Sequence, residues 1–406
     1  MASIVPFRAL RPAAPAARSV AAVPYDVVST EEARVLAAGN PLSFLHVSRA
    51  EIDLAPEVNP YDEAVYAKAI ANFERLKTAA PLVVEDAARL YVYRLRMGAH
   101  EQAGIAACFS LDEYERDIIK KHERTRQDKE DDRTRHMLAL RAQTGPVLLT
   151  YRASTAIDQI VSRTTTAERP LFDFTAEDGV QHTIWHVTPG EEQPLIAAFA
   201  QIPALYIADG HHRAASAARA RAQLGGPTGA AGEWDTVLAV AFPDTQMQIL
   251  PYNRVVRDLA TFTPETLLAK LREQFTLQPG DATPQRRGHV SMFLDGRWYA
   301  ITLGDAPADL SPDRRLDVSQ LQERVLSPVL GIGDVRTDKR IDFVGGARGT
   351  GALEQLVRSG TAAVAFALYP VSVGDLMQIS DAGGIMPPKS TWFEPKLRDG
   401  LLSHEI

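Results

Sequence analysis

The sequence predicts a mixed α/β fold, on three observations. Leu205, Tyr206 and Ile207 form a short apolar stretch that a sharp Asp209-Gly210 turn delivers into an alanine-rich run reaching Leu224, the pattern of a strand feeding a helix. Residues 236–242 are nearly continuously apolar, as in a strand buried on both faces. Strand, helix and strand together make a β–α–β unit. Elsewhere helical spacing (Tyr61, Val65, Ala69 and Phe73 on one face) alternates with strand-like pairs at 90–95 and 104–109. The expected division is an N-terminal α+β region at 1–150, a core at 151–260 that contains the turn, and a C-terminal α+β region at 261–406.

The 406 residues exceed one ordinary domain and can bury a large core. At 45% hydrophobic and 23% charged, the composition is that of a soluble globular protein. A net charge of −7 argues against a nucleic-acid partner. Cys108 stands alone, which excludes a disulfide framework and a cysteine zinc site and leaves a packed core thiol as the reading. Prolines at 6, 12 and 15 interrupt the first residues before an apolar segment of signal-peptide length develops. No apolar run of about 18 residues follows, so no membrane partner and a cytoplasmic location are expected.

Taken in order, residues 7–12 and 23–28 are extended segments, and Ser29 or Thr30 caps a helix opening on Glu31-Glu32. Asp26, just past a proline, is either a turn-stabilising carboxylate or a site acid. Residues 44–47 are a short apolar strand, and 61–77 a helix. The dense charges of 112–137 suggest a solvated helix pair with contacts such as Asp131 to Arg135. At the break between those helices, His122, Glu123, Arg124 and Thr125 cluster a base, a carboxylate, a guanidinium and a hydroxyl. Residues 147–151 and 181–187 are strands, the latter with His182 and His186 on one face in structural roles. The helix after Asp209 stops at Gly225-Gly226-Pro227. Residues 247–256 are an edge strand because of Pro251, 263–274 a capped helix, and 290–301 a hairpin on Asp295-Gly296. Residues 318–330 are helical. Asp334 to Arg348 is a charged, glycine-containing loop or strand start, and 386–396 an aromatic and basic segment held by prolines.

The chemistry concentrates at Asp209-Gly210-His211-His212-Arg213. A helix N-terminus leaves backbone N–H groups unpaired and attracts phosphate. Gly210 admits a close backbone approach, while His211, His212 and Arg213 add donors on the first turn. Asp209 has two compatible readings, helix cap and magnesium ligand or base. Arg254 and Lys389 are further candidates for phosphate contact. Neither of the two commonest nucleotide fingerprints, the Walker A loop and the dinucleotide glycine motif, is present.

Residues 7–12, 24–27, 122–126, 209–213 and 386–396 together resemble a widespread prokaryotic family catalogued as a domain of unknown function. Asp209-Gly-His-His-Arg213 is also similar to the phosphate-binding turn of the ParB/sulfiredoxin superfamily, whose free L-serine kinases carry a very similar Asp-Gly-His-His-Arg. The resemblance implies a ParB/sulfiredoxin-like nucleotide-binding core with large insertions. It further implies phosphoryl transfer from ATP or ADP, with Mg2+, to a small-molecule hydroxyl, free L-serine giving O-phosphoserine. His211 stands where sulfiredoxin has its cysteine, which disfavours sulfinic-acid reduction. On the phosphoryl-transfer template, Gly210 to Arg213 hold the nucleotide, Asp209 holds magnesium or orients the acceptor, and Glu123 is the base. Asp209 and His212 join Glu123 as catalytic candidates. Two alternatives stand beside this: a nucleotide hydrolase or nucleotide-gated switch, and a non-catalytic regulator binding an anionic metabolite.

Overall fold

The structure is a computed structural model that describes residues 1–79, 82–225 and 231–406. Its contacts divide the chain into two units, Met1–Met247 with Pro395–Ile406, and Gln248–Glu394. These bounds differ from the three consecutive regions expected above. The reason is strand pairing, because strands from residue 4 to residue 243 share one sheet.

In the first unit the strands are β1 (Ile4–Val5), β2 (Tyr91–Met97), β3 (His100–Ser110), β4 (Ile119–Lys120), β5 (Val147–Tyr151), β6 (Phe172–Thr175), β7 (Gln181–His186), β8 (Leu205–Asp209) and β9 (Thr236–Pro243). They lie in the order β4-β8-β5-β9-β3-β2-β7-β6, with β1 added on β3. The expected hairpin of β2 and β3 is present, in antiparallel register from Tyr91 opposite Ala106 to Met97 opposite His100. Only β8 with β4 and β9 with β5 run parallel among the described pairs.

The principal helices are α1 (Thr30–Ala37), α2 (Glu63–Ala79), α3 (Gln127–Leu140), α4 (Thr155–Ala167) and α5 (His211–Leu224). Ser29 caps α1 in a reciprocal capping box with Glu32, as Ser-x-x-Glu predicts. Val65, Ala69 and Phe73 of α2 are buried, while Tyr61 precedes the helix and stays exposed. The core beneath the sheet gathers Val92, Ile105, Phe109, Leu149, Ile207 and Ala239. Cys108 is also buried.

Three expectations are corrected. Residues 45–48 form a helical turn rather than a strand; so short an apolar run has no period to tell the two apart. The strand–helix–strand unit around the turn is not a parallel crossover. β8 is antiparallel to β5 whereas β9 is parallel to it, so β8 and β9 run oppositely with β5 between them. The expected Asp131–Arg135 contact along α3 is not made: Asp131 pairs with Arg219 and Arg135 with Glu63, on α5 and α2. Helix α5 ends at Leu224 with Gly225 as its cap residue, and Gly226 and Pro227 of the expected stop lie outside the described residues.

The second unit is an antiparallel sheet of β10 (Tyr252–Val256), β11 (Thr276–Pro279), β12 (His289–Leu294), β13 (Arg297–Thr302), β14 (Ile341–Gly345) and β15 (Val364–Leu368), in the order β11-β13-β12-β15-β10-β14. The β12–β13 hairpin turns on Asp295 and Gly296, both at positive φ (48° and 75°), as a two-residue turn of this kind requires. Pro251 does not make an edge strand. It separates Gln248–Leu250 from β10, and β10 is then paired on both sides. Helix α6 (Pro264–Arg272) is capped by Thr263, and the helix from Asp317 widens into a π turn at Gln322–Leu326.

Candidate functional site

β4 and β8 explain why two remote segments meet. They pair in parallel, Ile119 opposite Leu205 and Lys120 opposite Tyr206, so both chains leave the sheet side by side at their carboxyl ends. That is where open α/β sheets place ligands. The segment after β4 carries His122 and Glu123, and the segment after β8 is the Asp209–Arg213 turn. The β8 register shifts between Ile207 and Asp209, a bulge that re-aims the strand end toward the turn.

Gly210 precedes α5 at φ 95°, in the left-handed region. A side chain there is strained, and its Cβ would also lie 3.0 Å from the Arg213 guanidinium carbon. Asp209 accepts the Gly210 N–H at 2.9 Å through Oδ1, and its Oδ2 meets Lys396 Nζ at 3.1 Å and Arg213 Nη2 at 3.7 Å. Burial works to raise the Asp209 carboxyl, but Lys396 and Arg213 overcome it and hold the group well below the usual carboxylate range. Arg213 is buried, 3.7 Å from Asp26 Oδ2, and donates to the Pro146 carbonyl. Asp26 is therefore a partner of the turn's arginine.

His122 and His211 are both buried, with ring centroids 4.4 Å apart and edge to face. The His122 backbone N–H points at His211 Nε2 at 3.4 Å. Burial pushes His122 down to about 4, against the pull of Asp209, and pushes His211 well below its ordinary value, helped by His122. Both imidazoles are neutral at physiological pH. His212 is half-buried, and its Nε2 accepts the Arg126 N–H at 3.0 Å, which places the neutral ring's proton on Nδ1. Glu123 is half-buried beside them, and donor atoms of His122, Glu123 and His211 lie within 4.8 Å of one another. Thr125 donates to Glu130, and Ser216 Oγ donates to the Glu130 carbonyl at 3.2 Å, tying α3 to α5.

Behind the turn lies a cavity of about 40 Å³, lined by Tyr25, Arg133, His136, Arg213 and Asp399 among others. Burial raises Asp399 to about 7, against the pull of Arg213.

The structure thus gathers Glu123, Asp209, Gly210, His211, His212 and Arg213 in one place. Arg254 and Lys389 belong to the second unit instead. There Arg254 is buried 5.1 Å over the Phe343 ring and donates to the Tyr252 carbonyl, while Lys389 is exposed with its ammonium 5.6 Å over Tyr252. Lys396 and Asp399 were not anticipated. Lys396 ends the basic segment from which Lys389 had been singled out, and that composition was the one available signal. His182 and His186 are engaged structurally, by Tyr93 Oη at 2.8 Å and Glu85 Oε1 at 3.0 Å.

Magnesium at Asp209 fits poorly. One of its oxygens holds two cationic side chains and the other a backbone N–H, so the carboxylate fits the role of locking the turn better than that of an ion ligand. No helix among the described residues is long and apolar enough to cross a membrane.

Among solved structures, the chain is similar to a free serine kinase variant in complex with ADP, at 13% identity and a TM-score of 0.38, over 74% of this chain and 91% of that one. It is also similar to a C-terminally truncated SbnI from Staphylococcus aureus, at 14% identity and 0.38, over 72% and 85%. A third is a conserved hypothetical protein from Pyrococcus furiosus, at 14% identity and 0.35, over 73% and 94%. None of the curated proteins matches the chain. The model of the family described as protein of unknown function (DUF1015) matches residues 4–319, and the chain belongs to that family.

Proposed function

We propose that the protein is a nucleotide-dependent phosphotransferase acting on the hydroxyl of a small molecule. One observation carries the reading: a glycine-opened helix N-terminus and a half-buried glutamate are brought together at the carboxyl ends of two parallel strands. Phosphoryl transfer asks chiefly for positioned phosphates, compensated charge and an oriented hydroxyl.

In this reading the backbone N–H groups of the first turn of α5 take the nucleotide phosphates, and Gly210 leaves room for them. Lys396, Asp209 and Arg213 hold the turn in shape. The position of His212 is set by the Arg126 N–H. Glu123 orients the acceptor hydroxyl and accepts its proton. Arg254 and Lys389 are assigned no step. ATP and ADP are both candidate donors, and free L-serine is the first acceptor to try because of the Asp-Gly-His-His-Arg likeness.

The test is incubation of the full chain with labelled ATP or ADP, a divalent cation, and L-serine beside a panel of hydroxylated metabolites. Transfer to one acceptor is expected, with Glu123→Gln slower by about 10²-fold or more, as loss of a general base entails. Nucleotide hydrolysis that no acceptor diverts would contradict the kinase reading.

A further inference from the structure

We propose that His122, Glu123 and His211 form a binding site for one divalent transition ion of the Zn2+, Mn2+ or Co2+ class. The site goes beyond the kinase reading and does not depend on it.

The donor set is the first argument. One atom from each residue lies within 4.8 Å of the others, close enough to share an ion. Two imidazole nitrogens and one carboxylate suit a borderline transition metal, whereas Mg2+ prefers oxygen donors and keeps much of its water. Three protein ligands also leave a coordination position open, the mark of catalytic rather than structural sites.

The second argument is an orphaned atom. His122 is only 2% exposed, yet its Nδ1 has no hydrogen-bond partner. A neutral ring with its proton on Nε2, beside the Ile207 backbone, leaves the lone pair on Nδ1. Leaving a buried acceptor unsatisfied is costly, and an imidazole with one nitrogen on a backbone carbonyl and the other free is how metal-binding histidines are held. The bond that His211 Nε2 makes now, 3.4 Å from the His122 N–H, is long for a hydrogen bond and weak. The sheet fixes the backbone on both sides, because His122 follows β4 and His211 follows β8, which are paired in parallel.

An ion there lies beside the N-terminus of α5 rather than on Asp209. Glu123 then serves as a ligand through one carboxylate oxygen and keeps the other for an acceptor hydroxyl, and the charge that offsets the phosphates comes from a site two chain segments build together.

The experiment uses the full-length chain, free of any histidine tag and stripped with a chelator. Co2+ is titrated by calorimetry and by its visible absorption, with Zn2+ and Mg2+ as competitors. One Co2+ per chain is expected, displaced by Zn2+ and not by millimolar Mg2+. Glu123→Gln and His211→Asn should each weaken binding by at least about tenfold, since even outer-shell partners of such ligands contribute that much. Glu123 is only half-buried, so its variant tests the site even if the histidine variant misfolds, which circular dichroism reports. Absence of saturable Co2+ binding by the folded parent, displacement by Mg2+ as readily as by Zn2+, or unchanged binding in Glu123→Gln would overturn the proposal. ADP affinity measured on the same metal-free protein reports the phosphate turn separately, so the two readings can fail independently.

Discussion

Arg213 and Asp399 show how much of the site's electrostatics is stored below its surface. Arg213 is held by Asp26, Asp209 and the Pro146 carbonyl, and Asp399 adds a carboxyl on which burial favours the proton. A carboxyl raised from 3.8 to about 7 on folding stabilises the protein fully below its unfolded value, and the contribution is lost as pH rises through about 7. At about 1.4 kcal/mol per pH unit, that window is worth a few kcal/mol. Urea unfolding at pH 5 and pH 8 should therefore show the parent losing a stability increment that Asp399→Asn retains. The same pH dependence in both proteins would contradict this origin. Neither Asp399 nor Lys396 was legible as a site residue, because their importance comes from the chain's last twelve positions returning to the turn. The Asp399 N–H bonds the Ala22 carbonyl at 2.9 Å and Gly400 bonds Thr144 at 3.0 Å.

At the level of elements, the turn was the most legible part of the molecule. Strand, Asp-Gly and helix follow one another directly, so local propensity and backbone chemistry suffice to read them. Gly210 has to be glycine twice over, for its φ of 95° and for the 3.0 Å approach to Arg213. Gly210→Ala should cost about 1 kcal/mol or more in chemical denaturation; an unchanged midpoint would mean that the turn relaxes freely. The orientation of the strands around the turn was not legible. β5 enters between β8 and β9 from more than fifty residues upstream, and its opposite pairing senses leave no trace in either strand's own sequence. Pro251 was read as the mark of an edge, which it is not, since a proline that removes one ladder bond can equally divide a strand in two.

For the whole molecule, the mixed α/β class followed from the alternation of periods along the chain, while the division into units did not. The first unit's chain leaves at Met247 and resumes at Pro395, and nothing in composition marks either point. The meeting of His122 and Glu123 with the turn is likewise a consequence of sheet order, though the cluster itself stood out as chemistry without a structural need. The proposed function rests on the first turn of α5 holding nucleotide phosphates. It is tested most directly by calorimetric titration of ADP into the parent chain and into Gly210→Ala, with folding of the variant checked by circular dichroism. Saturable binding by the parent, weakened by about tenfold or more in a folded variant, is expected from the backbone geometry of the turn. Absence of ADP binding by the folded parent, or equal affinity in the variant, would contradict it.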